Sequence, residues 1–338
     1  MNATPQPRFD HLLEMTDGRG TFEHARFAEP RREHGYCTDD MARVLVVCTR
    51  EPRPGPAVQG LVELSLHFLG NAQGVDGDYH NRMDRRGRWT DRRTLEDCWG
   101  RSVWALGTAA AHAKADWLRQ AALAQFERAA RRRSPWRRRP SPAAIGAAEV
   151  LATRPAHPGA RALLAEAADR LPIANDDDAW PWPEASLAYA NAVIPEAKIA
   201  AGTLLDRPGL ARRGLDLLGW LLEHETIDGH LSVTPTGGSA PGAIRPAFDQ
   251  QPIEVTALAD ACARAAGVDG DNPRWADGVQ RAVAWFLGDN DGSHLMWDPL
   301  TGGGFDGLGP LGPNRNQGTE STLALLAALQ HARHLVPA

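Results

Sequence analysis

Apolar residues recur along this chain at the three- and four-residue spacings of amphipathic helices, and alternating runs of β-branched residues are scarce. The periodic stretches predict twelve helices, over 8–16, 39–50, 56–70, 95–113, 116–132, 141–153, 158–171, 184–203, 207–224, 249–267, 272–287 and 317–335. Their connections alternate in length. Links after the second, fourth, sixth, eighth and tenth helices are short, whereas 17–38, 71–94, 133–140, 172–183, 225–248 and 288–316 are long and hold most of the Gly, Pro, Asp and Asn. A short link folds two helices into an antiparallel hairpin, so every long loop emerges on one side of the assembly. Six such hairpins predict an all-α (α/α)6 toroid of two concentric helical rings. An open α-solenoid ranks second, because its repeats would resemble one another in sequence and these do not.

The 338 residues leave about 56 per hairpin, enough for two helices and one long loop, so one domain over 1–338 is expected. No apolar run reaches the length of a bilayer span, and Met1 to Asp10 lack a signal-peptide core, which predicts a cytoplasmic protein with no membrane partner. A net charge of -5 gives the chain no reason to seek nucleic acid. The basic run Arg131-Arg132-Arg133-Ser134-Pro135-Trp136-Arg137-Arg138-Arg139 is read as a solvated loop set against acidic stretches such as Asp176-Asp177-Asp178. Neither a metal nor a cofactor is expected. Cys37, Cys48, Cys98 and Cys262 form no CxxC pair, and Asp289-Asn290-Asp291-Gly292 opens like a calcium loop but reaches Leu300 where a glutamate is required. The absence of a GxSxG elbow, a P-loop or a dinucleotide fingerprint argues against serine hydrolase, kinase and dehydrogenase.

Chemistry gathers where the long loops feed the even-numbered helices. The first of these starts reads His34-Gly35-Tyr36-Cys37-Thr38-Asp39-Asp40, the second Glu96-Asp97-Cys98-Trp99-Gly100-Arg101. Trp180-Pro181-Trp182-Pro183-Glu184 leads to Tyr189 and Asn191, the next start reads Asp249-Gln250-Gln251-Pro252-Ile253-Glu254, and the last runs from Trp297 and Asp306 to Asn316 and Glu320. Single acids at helix starts are ordinary caps. A rim that mixes carboxylates, amides, Arg and indoles instead matches polyhydroxylated ligands, whose hydroxyls donate and accept and whose C–H faces stack on rings. Two carboxyls across such a cavity would cleave a glycosidic bond, one as acid and one as base. Asp40 and Asp97 are the favoured pair, with Asp249 and Glu320 behind. Asp39 and Asp40 are adjacent, so one is expected to cap the helix while the other faces the cavity. His34, Tyr36, Asp39, Glu96, Trp99, Arg101, Trp180, Trp182, Asn191, Gln250, Gln251, Glu254, Trp297, Asp306 and Asn316 complete the expected substrate contacts. Trp89 is placed on the same face, while Trp104, Trp117, Trp220 and Trp285 fall within helices and read as core.

The runs HGYCTDD, EDCWGR before WALG, FDQQPIE, and GGGFDGL followed by NQGTESTLALL resemble an uncharacterised bacterial family of the six-hairpin glycosidase superfamily, over nearly the whole chain. The resemblance implies an (α/α)6 toroid, carbohydrate chemistry on an oligosaccharide substrate, and a functional link to glycosyltransferases or mannoside phosphorylases. The chain departs from the pattern at Ala190, where an Asp is expected, and at Pro183 before Glu184. The leading reading is an inverting glycoside hydrolase acting on a short oligosaccharide. The alternatives are a sugar epimerase or isomerase using loop histidines, His34 first among His24, His34 and His80, and a non-catalytic carbohydrate-binding protein working with a glycosyltransferase.

Overall fold

The computed structural model describes residues 4–136, 140–175 and 177–335; Arg137 to Arg139 of the basic run and Asp176 lie outside them. Twelve α-helices form among the described residues: α1 Asp10–Glu14, α2 Thr38–Arg50, α3 Pro56–Ala72, α4 Asp97–His112, α5 Asp116–Ala129, α6 Pro140–Thr153, α7 Pro158–Arg170, α8 Val193–Leu204, α9 Pro208–His224, α10 Pro252–Ala266, α11 Pro273–Phe286 and α12 Thr319–Leu335. Proline at the first turn of α3, α7, α9, α10 and α11 starts these helices where a missing N–H costs nothing.

Helices α2, α4, α6, α8, α10 and α12 touch in that order and α12 returns to α2, closing an inner ring. Each packs on the outer helix that follows it, and α12 packs on the short α1, so the two chain ends complete the sixth hairpin. Where α4 meets α6 the backbones nearly touch: a Cβ on Gly107 would stand 2.1 Å from the Gly146 carbonyl oxygen, so only glycine allows that approach. Apolar faces fill the space between the rings in two clusters, one around α2 to α7 and the other around α8 to α12. Among the described residues no helix is long and apolar enough to cross a membrane.

The long loops form four two-stranded antiparallel ribbons: Ala25–Arg26 with Glu29–Pro30, Tyr36–Cys37 with Arg82–Met83, Thr226–Ile227 with His230–Leu231, and Gly307–Gly309 with Gly312–Asn314. Asn290 organises the 289–294 turn as expected, accepting from the backbone of Gly292 and His294 and donating to the carbonyls of Trp285 and His294. One helix differs from its prediction. α8 starts at Val193 and not at 184, because the Glu254 carboxylate accepts the backbone N–H groups of Ala190 and Asn191 and Ala190 takes a positive φ of 46°. Those two amides are thereby bound outside any helix, and Tyr189 sits on a loop.

Candidate active site

The starts of α2, α4 and α12 and the segments that lead into α8 and α10 gather around one cleft of about 520 Å³. Its walls include Asp39, Asp40 and Arg43 of α2, Asp97 and Arg101 of α4, Glu320 and Ser321 of α12, Gln251 before α10, Tyr189 before α8, and Glu23, His24, Arg82 and Asp306 from the loops. The acids at these starts are not caps. No side chain caps α2, α4 or α10, whereas the outer helices α7 and α11 are capped by His157 and Asn272. The expectation that only one of Asp39 and Asp40 faces the cavity is corrected here: Cys37 occupies the N-cap position, and both aspartates line the cleft.

Two guanidinium groups order the carboxylates. Arg43 donates from Nη1 to Asp40 Oδ1 at 2.7 Å and from Nη2 to the Tyr189 hydroxyl at 2.7 Å, and its Nη2 lies 2.6 Å from Glu320 Oε2. The Tyr189 hydroxyl in turn donates to Glu320 Oε2 at 2.8 Å. Arg101 Nη1 lies 3.0 Å from Asp39 Oδ1 and 3.7 Å from Asp97 Oδ2, with its guanidinium carbon 5.4 Å from the centre of the Tyr189 ring. Asn81 fixes the other Asp39 oxygen by donating to it at 3.1 Å, which ties the 73–94 loop to α2. Glu23 pairs with Arg82 on the loop side.

These surroundings push neighbouring acids apart. Burial raises the Asp40 carboxyl to about 7; Arg43 opposes the rise, and the charges of Glu320, Glu23 and Asp39 add to it. Burial works the same way on Asp39, but Arg101 and Arg43 outweigh it and hold that carboxyl below its ordinary range. Asp306 is raised by burial against an opposing hydrogen bond from the Gly318 backbone. The cleft therefore presents an acid that titrates near neutral pH beside one held ionised there. Asp97, whose side chain is 48% exposed, faces the cleft from the next helix.

Of the residues expected from sequence, Asp39, Asp40, Asp97, Arg101, Gln251, Asp306 and Glu320 come together in this cleft. Others do not. Asp249 is exposed and stands outside the cleft lining, beside Gly309. His34 lies on an exposed 3-10 turn with its ring edge-on to His24 at 5.1 Å, and it is His24 that reaches the cleft. Tyr36 is buried, stacked on Phe22, and donates to Asp17. Glu96 is exposed and precedes α4.

The expected stacking platforms are mostly core. Trp99 is fully buried and donates to the Ala129 carbonyl; Trp180 donates to the Glu184 carbonyl and meets Trp220 edge-on; Trp182 is fully buried and stacks on Trp220. Trp297 packs partly buried against the second core cluster. Trp89 stacks on His80 with centroids 5.1 Å apart, Trp117 is exposed, and Trp104 lines an inner cavity. Asn191 and Glu254 serve the loop that carries Tyr189, Gln250 bonds to Asp291 and the Ala247 carbonyl in the core, and Asn316 accepts from the Phe27 backbone.

Arg43, Tyr189, Glu23 and Arg82 enter the site beyond the expected set. Arg43 carried a signal: it is the lone charge within the apolar run Met41 to Cys48, so it has to be paired when buried.

No family model matches the chain, and no curated protein matches it by sequence. Its backbone nevertheless matches cellobiose 2-epimerase from Spirochaeta thermophila DSM 6192 with a TM-score of 0.66 at 15% identity, over 96% of this chain and 92% of that one. The GH family 9 endoglucanase J30 matches with a TM-score of 0.63 at 13% identity, over 92% and 73%. An inactive α-1,6-mannanase variant of Salegentibacter sp. HEL1_6, in complex with α-1,6-mannotetrose, matches with a TM-score of 0.62 at 12% identity, over 97% and 96%. The likeness shows a shared (α/α)6 toroid fold. Within the six-hairpin toroid, this chain's cleft sits on the side of the inner ring from which the long loops emerge, at the starts of its helices.

Proposed function

We propose that this protein is a carbohydrate-active enzyme that cleaves a glycosidic bond in a short oligosaccharide, with Asp40 as general acid. The observation that carries the reading is a buried aspartic acid with its carboxyl raised to about 7, lining a polar cleft beside an ionised aspartate. Two titratable groups whose surroundings drive their pKa values apart are the arrangement that acid and base roles require. Asp97 is the proposed base. It lines the same cleft from the helix next to that of Asp40, and inversion requires of the pair a carboxyl separation of about 6.5 to 9.5 Å. Asp39, held by Arg101 and Asn81, and Glu320, held by Arg43 and Tyr189, place negative charge that adds to the burial-driven rise of the Asp40 carboxyl.

The structural neighbours support a sugar ligand: one acts on cellobiose, and another was solved with a mannotetrose. The mannanase variant is inactive through replacement of two adjacent aspartates, and this chain has adjacent aspartates at the start of an inner helix. The test is incubation with a panel of manno- and gluco-oligosaccharides, with reducing ends assayed and the anomer of the first product read by proton NMR. New reducing ends with the inverted anomer, lost in Asp40→Asn, are expected. Epimerisation is the second reading, favoured by one observation: His24 lines the cleft. It predicts a changed sugar with no new reducing ends, lost in His24→Ala and retained in Asp97→Asn.

A further inference from the structure

Beneath the polar cleft, inside the inner ring, lies a second cavity of about 310 Å³. Its wall is largely apolar, with Val47, Trp104, Ile145, Val193, Ile253 and Leu323 contributed one by each of the six inner helices. The cavity shares Arg43, Asp97, Arg101, Tyr189 and Glu320 with the cleft, so the two spaces meet at that polar girdle. Along α2 it runs from Arg43 to Arg50, seven residues and hence about 10 Å of helix rise. Its far end is closed by charges already paired among themselves: Arg50 with Asp260 at 2.5 Å, and Glu196 with Arg264 at 2.9 Å. These paired groups leave little charge to offer a ligand, and most of the remaining wall is apolar, with Ser141, Thr256 and the Trp104 N–H as its polar points.

We infer that this chamber binds an apolar aryl or short alkyl group, held as the aglycone of a glycoside whose sugar occupies the cleft above. An apolar cavity of about 150 Å³ already takes up benzene, and the chamber is about twice that size. Its length suits a phenyl ring or a chain of six to eight carbons, extended at roughly 1.3 Å per carbon. The placement of the sugar rests on the functional reading above; the chamber's preference for apolar groups does not.

The test compares binding of phenyl and hexyl glycosides with their methyl counterparts, and of free phenol and 1-hexanol, by calorimetry. The expected result is at least tenfold tighter binding of the phenyl and hexyl glycosides, together with measurable binding of both free alcohols. Ala327→Phe, which fills the chamber from α12, should remove that advantage and leave methyl glycoside affinity unchanged. Should Ala327→Phe fail to fold, the smaller Ala327→Val is expected to reduce the advantage. Equal binding of methyl and phenyl glycosides, no binding of either free alcohol, or an undiminished advantage in a folded filled variant would overturn the proposal. Binding of the free alcohols without turnover or binding of any glycoside would leave the chamber standing and remove the functional reading.

Discussion

The two ends of the inner ring carry similar buried ion networks with different outcomes. At the loop end, Arg43 and Arg101 hold Asp40, Glu320, Asp39 and Asp97 around an open cleft. Toward the opposite end, Arg50 and His331 close on Asp260, and Arg264 closes on Glu196 and Glu149, the latter also paired with His112. There the burial that would raise Asp260 and Glu149 is outweighed by their cationic partners, and both stay well below the usual carboxylate range. A raised carboxyl does not by itself separate the two ends. Glu196 is also raised to about 7 by burial, as is Glu225, which is bonded to Thr234 in the core. What each acid faces separates them: Asp40 lines the polar cleft proposed for the sugar, Glu196 borders the chamber proposed for an apolar group and is paired there with Arg264, and Glu225 borders neither. A perturbed acid becomes a candidate catalyst only where a substrate can reach it.

The comparison can be broken most sharply at Asp40. Asp40→Asn is expected to lower turnover of oligosaccharides by about a thousandfold with the fold intact, the scale of a lost general acid. Asp260→Asn should do the reverse, costing about 1 to 3 kcal/mol of stability by leaving the half-buried Arg50 without its counter-charge, while activity per folded molecule is kept; denaturant titration beside specific activity separates the two. Tyr189→Phe removes the hydroxyl between Arg43 and Glu320 and is expected to cost roughly tenfold in kcat/KM, in line with a charge-assisted hydrogen bond. The smallest effect is expected for Trp99→Phe, which should lower the thermal midpoint and leave KM unchanged because the indole is core and not platform.

Asp40 and Asp260 also respond oppositely to pH. With Asp40 raised to about 7 in the folded chain, the unfolded chain ionises first as pH rises from about 4. Stability contributed by this site is full below that range and falls as pH climbs through about 7. Asp260, depressed in the folded chain, contributes stability that is present above the ordinary aspartate value and is lost as pH falls through its own lower one. Asp40→Asn should therefore gain in thermal midpoint relative to the unsubstituted protein above pH 7 and lose that gain at pH 4.

The toroid was legible because helix periodicity and alternating loop lengths are local properties, and together they place six helix starts on one face. Asp39, Asp40, Asp97, Arg101 and Glu320 at those starts were legible too, whereas Asp249, Glu96 and Glu254 stand outside the cleft lining. Arg43, Glu23 and Tyr189 acquire their roles only when the ring closes, since their partners lie far off along the chain: Arg43 bonds across to Tyr189, and Tyr189 to Glu320. The indoles misled for a related reason. Trp99, Trp180 and Trp182 stand beside the loops in sequence, but each turns back into the protein, where Trp99 and Trp180 find backbone carbonyls for their N–H groups and Trp182 stacks on Trp220. The false start of α8 arose from Glu254, which binds the backbone at Ala190 and Asn191 from more than sixty residues away.

The central claim, that Asp40 donates a proton to the leaving group, is tested most directly by comparing Asp40→Asn on two substrates of the same sugar. One is the oligosaccharide the protein cleaves best; the other is its 2,4-dinitrophenyl glycoside, whose leaving group departs without protonation. The account predicts a loss of about a thousandfold on the first and less than about tenfold on the second. Equal losses on both, or no loss on either, would contradict it.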